Sequence, residues 1–278
     1  MKTLSVSLFF FILLSLLVIS VCYCSDTSLV YDFTLTYESQ YWYLGTWGEG
    51  VRTQWQNGVA YISLNNTDGQ WIGGKIQQGS LPHGWTQAHP LKENPIINRK
   101  TKITVYIRFK VANISFYRNG YVNLGVSFWI QRPNTVWESQ QPQIEIGFKL
   151  LWIRYNDGNL IFQSNPVHFQ GDLGNDYHSL FDVYYESNSL NNTWISYAFE
   201  TQPYISNALD YWNVKEGVIK NIEVYFETNA GKGEAWIDEI NVILTENNSN
   251  SFLDNEFLLS ILLFAVCIIV FYSFIKKY

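Results

Sequence analysis

Cysteine is nearly absent from this chain. The three that occur, Cys22, Cys24 and Cys267, sit within or beside two apolar runs near its ends. Residues 25–244 hold none, which excludes disulfide bridges, a thiolate metal site and a cysteine nucleophile there. That stretch has to be held by its core alone, and it is long enough to build one. Positive charge is also scarce. Lys and Arg number 18 against 24 Asp and Glu, for a net charge of −6, which argues against nucleic acid as a partner. His83, His89, His168 and His178 lie on separate segments without metal-ligand spacing and read as turn or surface residues. No phosphate loop or serine-centred elbow is present, so no cofactor or metal is expected. Helical periodicity is missing too, apart from a short candidate at Ile205–Trp212.

What is present starts with the two ends. Met1-Lys2 precedes an apolar run to Val21, then the small residues Cys22 and Cys24 before Ser25, the layout of a signal peptide over 1–24. Val21 before Cys22 does not suit a lipoprotein signal; an uncleaved anchor is the alternative. Residues 257–275 carry no charge and are long enough to span a bilayer. They follow a polar tether, 245–256, and precede Lys276-Lys277-Tyr278, a basic tail expected inside. The organisation read here is therefore a domain at 25–244 outside the cell membrane, a single transmembrane helix and a cytoplasmic tail at 276–278. Sequons at Asn65, Asn113, Asn191 and Asn247 suggest N-linked glycans on that domain.

The domain reads as all-β. Charged residues are 15% of the chain and aromatics 17%. Runs such as "TKITVYIRFKV", "NGYVNLGVSFWI" and "IEIGFKLLWIRYNDGNLIFQ" alternate with turn signals, "YNDGNL" being a hairpin turn. Strands this numerous without repeats predict a two-sheet antiparallel sandwich or jelly roll, with 79–100 as a loop over one end. Period two sorts the faces. Ile144, Ile146, Phe148 and Leu150 share one face, and Glu145, Gly147 and Lys149 the other. Val122, Leu124, Val126, Phe128 and Ile130 oppose Asn123, Gly125, Ser127, Trp129 and Gln131. Ile222, Val224 and Phe226 oppose Glu223, Tyr225 and Glu227. Three strands thus pair a dry face with one mixing carboxylates, aromatics and amides, as a ligand face does. A solvated face with a few exposed aromatics is the other reading.

In these residues the chain resembles the glycoside hydrolase family 12 endoglucanases, which are concanavalin A-like jelly rolls. "TWGEG" at Thr46–Gly50 resembles the family's early Asn-x-Trp-Gly segment. "NLGVSFWI" resembles its Asn-Ala-Ala-Tyr-Asp-Ile-Trp-Phe strand at Asn123 and Trp129. "IEIGFKL" resembles the Glu-Ile-Met-Ile-Trp strand, whose nucleophile falls on Glu145. "IEVYFETNAGKGEAWIDEINVIL" resembles the closing segment, whose acid/base falls on Glu227. The resemblance implies retaining hydrolysis of β-glucan by Glu145 and Glu227, with Trp47, Asn123, Trp129 and Tyr225 binding substrate and Trp85 a further candidate. Departures are Ser127 where the family has an aspartate beside the nucleophile, and Gly147 and Lys149 for its Met and Trp. Lys149 is either a charge that holds Glu145 ionised or a surface lysine. Two other readings stay open: a non-catalytic carbohydrate-binding jelly roll, in which Asp238 and Glu239 are structural or calcium-linked, and a structural cell-surface protein.

Overall fold

A computed structural model describes residues 30–32, 41–85, 91–162, 168–183 and 192–246. The signal segment, the tether beyond Glu246, the apolar run 257–275 and the basic tail lie outside these residues, as do His89, Asn191 and Asn247. Among the described residues no helix is long and apolar enough to cross a membrane.

In chain order the strands are β1 (Val30–Asp32), β2 (Tyr43–Trp47), β3 (Val51–Gln56), β4 (Val59–Asn65), β5 (Ile72–Gly79), β6 (Ile96–Asn98), β7 (Thr101–Phe116) and β8 (Gly120–Gln131). They continue as β9 (Ile144–Asn156), β10 (Asn159–Phe162), β11 (Phe169–Leu173), β12 (Asp176–Asp182), β13 (Ile195–Glu200), β14 (Glu216–Thr228) and β15 (Gly231–Glu246). One helix, α1 (Gln202–Tyr211), precedes β14. It overlaps the expected Ile205–Trp212, starts in a first turn that holds Pro203, and buries Ile205, Ala208 and Leu209 on one stripe. The 79–100 segment is not all loop. It contains a 3₁₀ turn at Pro82–Gly84, and β6 pairs with β14.

Two sheets pack face to face. The outer one runs β13-β7-β15-β4-β3 with β1 beside β15; the other runs β11-β12-β9-β8-β14-β5-β2, with β10 on β9 and β6 on β14. Between them lie Ile62, Ile107, Phe109, Leu124, Phe128, Phe148, Phe181 and Phe226, each under 2% exposed. The architecture is the expected sandwich, with one correction. β12 joins β9 in parallel, from Tyr177 opposite Ile144 to Asp182 opposite Lys149. The β11–β12 hairpin follows the β9–β10 hairpin, and its second strand returns in the direction of β9. The "YNDGNL" turn is as read: Asp157 and Gly158 both have positive φ, as a tight two-residue hairpin requires.

The two sheets differ in their second faces. On β7 burial alternates strictly: Ile103, Val105, Ile107 and Phe109 are buried, and Thr104, Tyr106, Arg108 and Lys110 are partly exposed. That is a sheet with one face in water. On β5, β8 and β14 nearly every residue of both faces is buried. Core packing accounts for one of those faces only. The other is covered too: Lys75, Gln77, Asn123, Ser127, Glu223 and Glu227, which lie on it, are all buried.

Candidate active site

The covered face is laid out by strand register. Across β9, β8 and β14, Glu145 stands opposite Trp129, and Trp129 opposite Asn221. One pleat on come Gly147, Ser127, Glu223 and, on β5, Gln77. Next are Lys149, Gly125, Tyr225 and Lys75. The last row is Trp152, Asn123, Glu227, Gly73 and Trp47 of β2. All six site residues expected from the sequence therefore share one face.

Trp152 is an addition. Strict alternation from Ile144 would send it into the core, but a register shift between Leu124 and Gly125 passes over Leu150, so Leu150 and Leu151 both enter the core and Trp152 turns to the covered face. Glycines make room for the large side chains on this face. A Cβ at Gly125 would meet the Tyr225 hydroxyl at 2.5 Å and the Phe148 carbonyl oxygen at 2.7 Å. One at Gly73 would meet the Trp47 ring at 2.1 Å. The Glu145 carboxylate reaches over Gly147, where a Cβ would sit 3.7 Å from Oε1 and 3.2 Å from Ser127 Oγ.

The two glutamates sit in opposed environments. Ser127 Oγ donates to Glu145 Oε1 at 2.6 Å, and His178 Nδ1 lies 2.5 Å from Oε2. Burial alone would raise the Glu145 carboxyl. The His178 hydrogen bond and charge, the Ser127 hydroxyl and the Lys75 ammonium outweigh it, and the group is held below its ordinary value. Glu227 accepts from Asn123 Nδ2 at Oε1 and from Trp71 Nε1 at Oε2, both at 2.9 Å. Here burial wins. The Glu145 charge adds to it, the neutral donors and Lys149 oppose it, and the carboxyl is pushed up to about 7. Tyr225, over Gly125, is buried and feels Glu227, Glu145 and Glu223, which keep its phenol protonated.

Other charges on the face are paired. Lys75 Nζ meets Glu223 at 2.9 Å. Lys149 is buried, lies 3.6 Å from Asp182 and stacks over Trp152 at 3.9 Å, so its partner is Asp182 rather than Glu145. Several polar atoms of this face are buried without a hydrogen-bond partner among the described residues: Nε1 of Trp47, Trp129 and Trp152, and Oδ1 of Asn123 and Asn221. Buried polar groups are normally satisfied. Three indole donors and two amide acceptors on one face match what a polyhydroxylated ligand offers. Aromatic pairs close both ends, Trp47 against Trp71 at 5.9 Å and Trp85 against Trp129 at 6.2 Å.

Two histidines differ from the sequence expectation of turn or surface residues. His178 holds Glu145. His83 has a buried side chain, with Nε2 at 2.8 Å from Asp176 and Nδ1 at 2.5 Å from the Ser139 carbonyl oxygen. It pins the 80–85 turn, which carries Trp85, to the end of the covered face. Trp71 carries no signal in the sequence, since it precedes its strand and has no face pattern. Asp238 pairs with Arg108 at 2.7 Å on the outer sheet, away from this site. Among the described residues no group of His, Cys, Asp and Glu is arranged to hold a metal ion.

No protein-family model matches the chain, and no curated protein matches it. Among solved structures it is similar to a native family 12 xyloglucanase from Bacillus licheniformis, at TM-score 0.44 and 13% identity, over 77% of this chain and 99% of that one. It is also similar to a metagenome-derived glycoside hydrolase family 12 endoglucanase, at TM-score 0.47 and 10% identity over 80% and 100%. A family 11 xylanase from Neocallimastix patriciarum is similar at TM-score 0.35 and 12% identity over 72% and 98%.

Proposed function

We propose that the chain is an extracellular, membrane-anchored endo-acting hydrolase of β-glucan that works with retention of configuration. The observation that carries this reading is the pair of carboxyls on one covered face whose surroundings push them apart. Glu145 is held ionised, and Glu227 is raised to about 7. Such a split supports Glu145 as nucleophile and Glu227 as acid. In the first step Glu145 forms a bond to the anomeric carbon, the bond from that carbon to the leaving oxygen breaks, and the Glu227 proton goes to that oxygen. Esterification removes the Glu145 charge, one of the influences that raise Glu227. The Glu227 carboxyl then becomes more acidic and is ready to act as base. In the second step it takes a proton from water, the water oxygen bonds to the anomeric carbon, and the ester bond to Glu145 breaks.

The surroundings support a neutral glycan. Lys75 is matched by Glu223 and Lys149 by Asp182, so neither lysine is left to select an anionic substrate. The aromatic pairs at both ends suit a chain that passes through rather than one sugar held at its end. A non-catalytic carbohydrate-binding protein is the second reading, favoured by the neutral Ser127 where an acid is expected. Purified full-length protein incubated with a panel of β-glucans decides between them. Release of oligosaccharides whose first-formed anomer is β, followed by proton NMR, supports the proposal. Binding without cleavage selects the second reading.

A further inference from the structure

We propose that His178 is the positioning residue of Glu145, gripping its carboxylate as an imidazolium through a charge-assisted hydrogen bond. The proposal rests on reading Glu145 as the nucleophile. The parallel strand β12 places His178 directly opposite Glu145 on β9. Nδ1 and Oε2 are 2.5 Å apart, with the two side chains 12% and 13% exposed. The contact runs through one ring nitrogen to a carboxylate oxygen, the arrangement in which an imidazolium N–H makes a short, charge-assisted hydrogen bond. The edge of the Trp129 ring packs against the His178 ring at 5.6 Å and 83° and fixes its plane.

The neighbouring groups leave this task to His178. A buried carboxylate is costly to ionise without a charge-assisted partner. Ser127 directs Oε1 but carries no charge. Lys149 is taken by Asp182 and Lys75 by Glu223; Lys75 acts on Glu145 only at a distance. From its own strand His178 faces Asp176, which is held by His83 and by the Gln143 backbone N–H at 2.7 Å. From β9 it faces Glu145, from β8 Trp129, and from β11 Gly171. Its charged neighbours in that set are both carboxylates, and both favour the cation.

This arrangement assigns the two oxygens different work. Oε1, held by a hydroxyl alone, forms the bond to the anomeric carbon. Oε2 stays on His178, whose charge stabilises the carboxylate again when the ester breaks. Loss of the cation therefore slows the second step more than the first.

The test uses the full-length chain in detergent, labelled with ¹⁵N-histidine, and needs no variant to begin. Near pH 6.5, where a free histidine is about half protonated, wild-type His178 is expected to show both ring nitrogens protonated. In Glu145→Gln that signal should shift to a neutral tautomer. In His178→Gln the acid limb of kcat/KM is expected to move up by about one pH unit. With an activated aryl glycoside, kcat and KM should fall together as the covalent intermediate accumulates. A neutral His178 in the wild type overturns the inference, as does an unmoved acid limb in His178→Gln. Protonation as expected together with no hydrolysis of any β-glucan overturns the hydrolase reading and leaves the ion pair standing.

Discussion

At the scale of single residues the proposed chemistry depends on the surroundings of each glutamate. Glu145→Gln is expected to abolish hydrolysis, and Glu227→Gln to do so for natural glycans but less for substrates whose leaving group needs no proton. The two variants should part in stability. The folded Glu227 carboxyl is raised to about 7 against an ordinary 4.5. Between those values the folded protein holds more protons than the unfolded chain, so stability falls as pH rises. The gap of about 2.5 units sets an upper limit of about 3 kcal/mol. Denaturant titrations at pH 5 and pH 8 should show wild type losing about 1–3 kcal/mol more than Glu227→Gln across that range. Glu145 is the opposite case: its depressed carboxyl stabilises above its ordinary value and loses that contribution on acidification, so Glu145→Gln costs stability at neutral pH by leaving His178 without its counter-charge. Both glutamates were legible from period two and from the resemblance. Their partners were not. His178 is 33 residues from Glu145, and no local pattern marks it. Trp71, which donates to Glu227, stands before its strand begins.

At the scale of elements, the strands and their dry faces were legible because apolar residues alternate over long runs of β7, β8 and β14. Two irregularities were not. The shift at Leu150 exchanges the faces of β9, so alternation alone sends Trp152 to the core when it stands in the site. The parallel pairing of β9 and β12 depends on which strand follows two hairpins, and that is a property of the packed sheet. Glycine placement carries the finest detail. Tyr225 lies across Gly125 with no space for a methyl group: a Cβ there meets the phenol at 2.5 Å and the immovable Phe148 carbonyl oxygen at 2.7 Å. Gly125→Ala is therefore expected to displace the ring and the strand under it, at a cost of about 1–3 kcal/mol. It should also weaken substrate affinity, because Tyr225 lies among Glu145, Glu223 and Glu227. Thermal unfolding together with oligosaccharide titration checks both. A variant that keeps both stability and affinity would show that the ring does not need the space.

At the scale of the whole molecule, residues 30–245 cluster as one compact unit, and β15 runs to Glu246, just past the domain boundary read at residue 244. The site draws on β2, β5, β8, β9, β12 and β14, six strands of the larger sheet. For the ends the proposal rests on sequence: a signal at 1–24, an apolar span at 257–275, and Lys276 and Lys277 expected inside by the charge rule. A domain without cysteine suits export, since it needs no oxidative step to reach its fold. Exposed Asn65 and Asn113 are available to glycosylation on that route; the Asn113 side-chain amide donates to Glu234, and a glycan there leaves one N–H for that contact. This organisation makes a prediction that is independent of catalysis. Protease added to intact cells should cut the polar stretch that follows Glu246 and release the β-sandwich, because the hydrogen-bonded backbone of its strands resists cleavage. The released fragment should carry glycans and retain whatever β-glucan binding or hydrolysis the full chain shows, while an epitope placed after Tyr278 stays with the cells. Protection of the sandwich, with cleavage of the terminal epitope instead, would mean that Lys276 and Lys277 face outward and that Glu145 and Glu227 never meet an extracellular glycan.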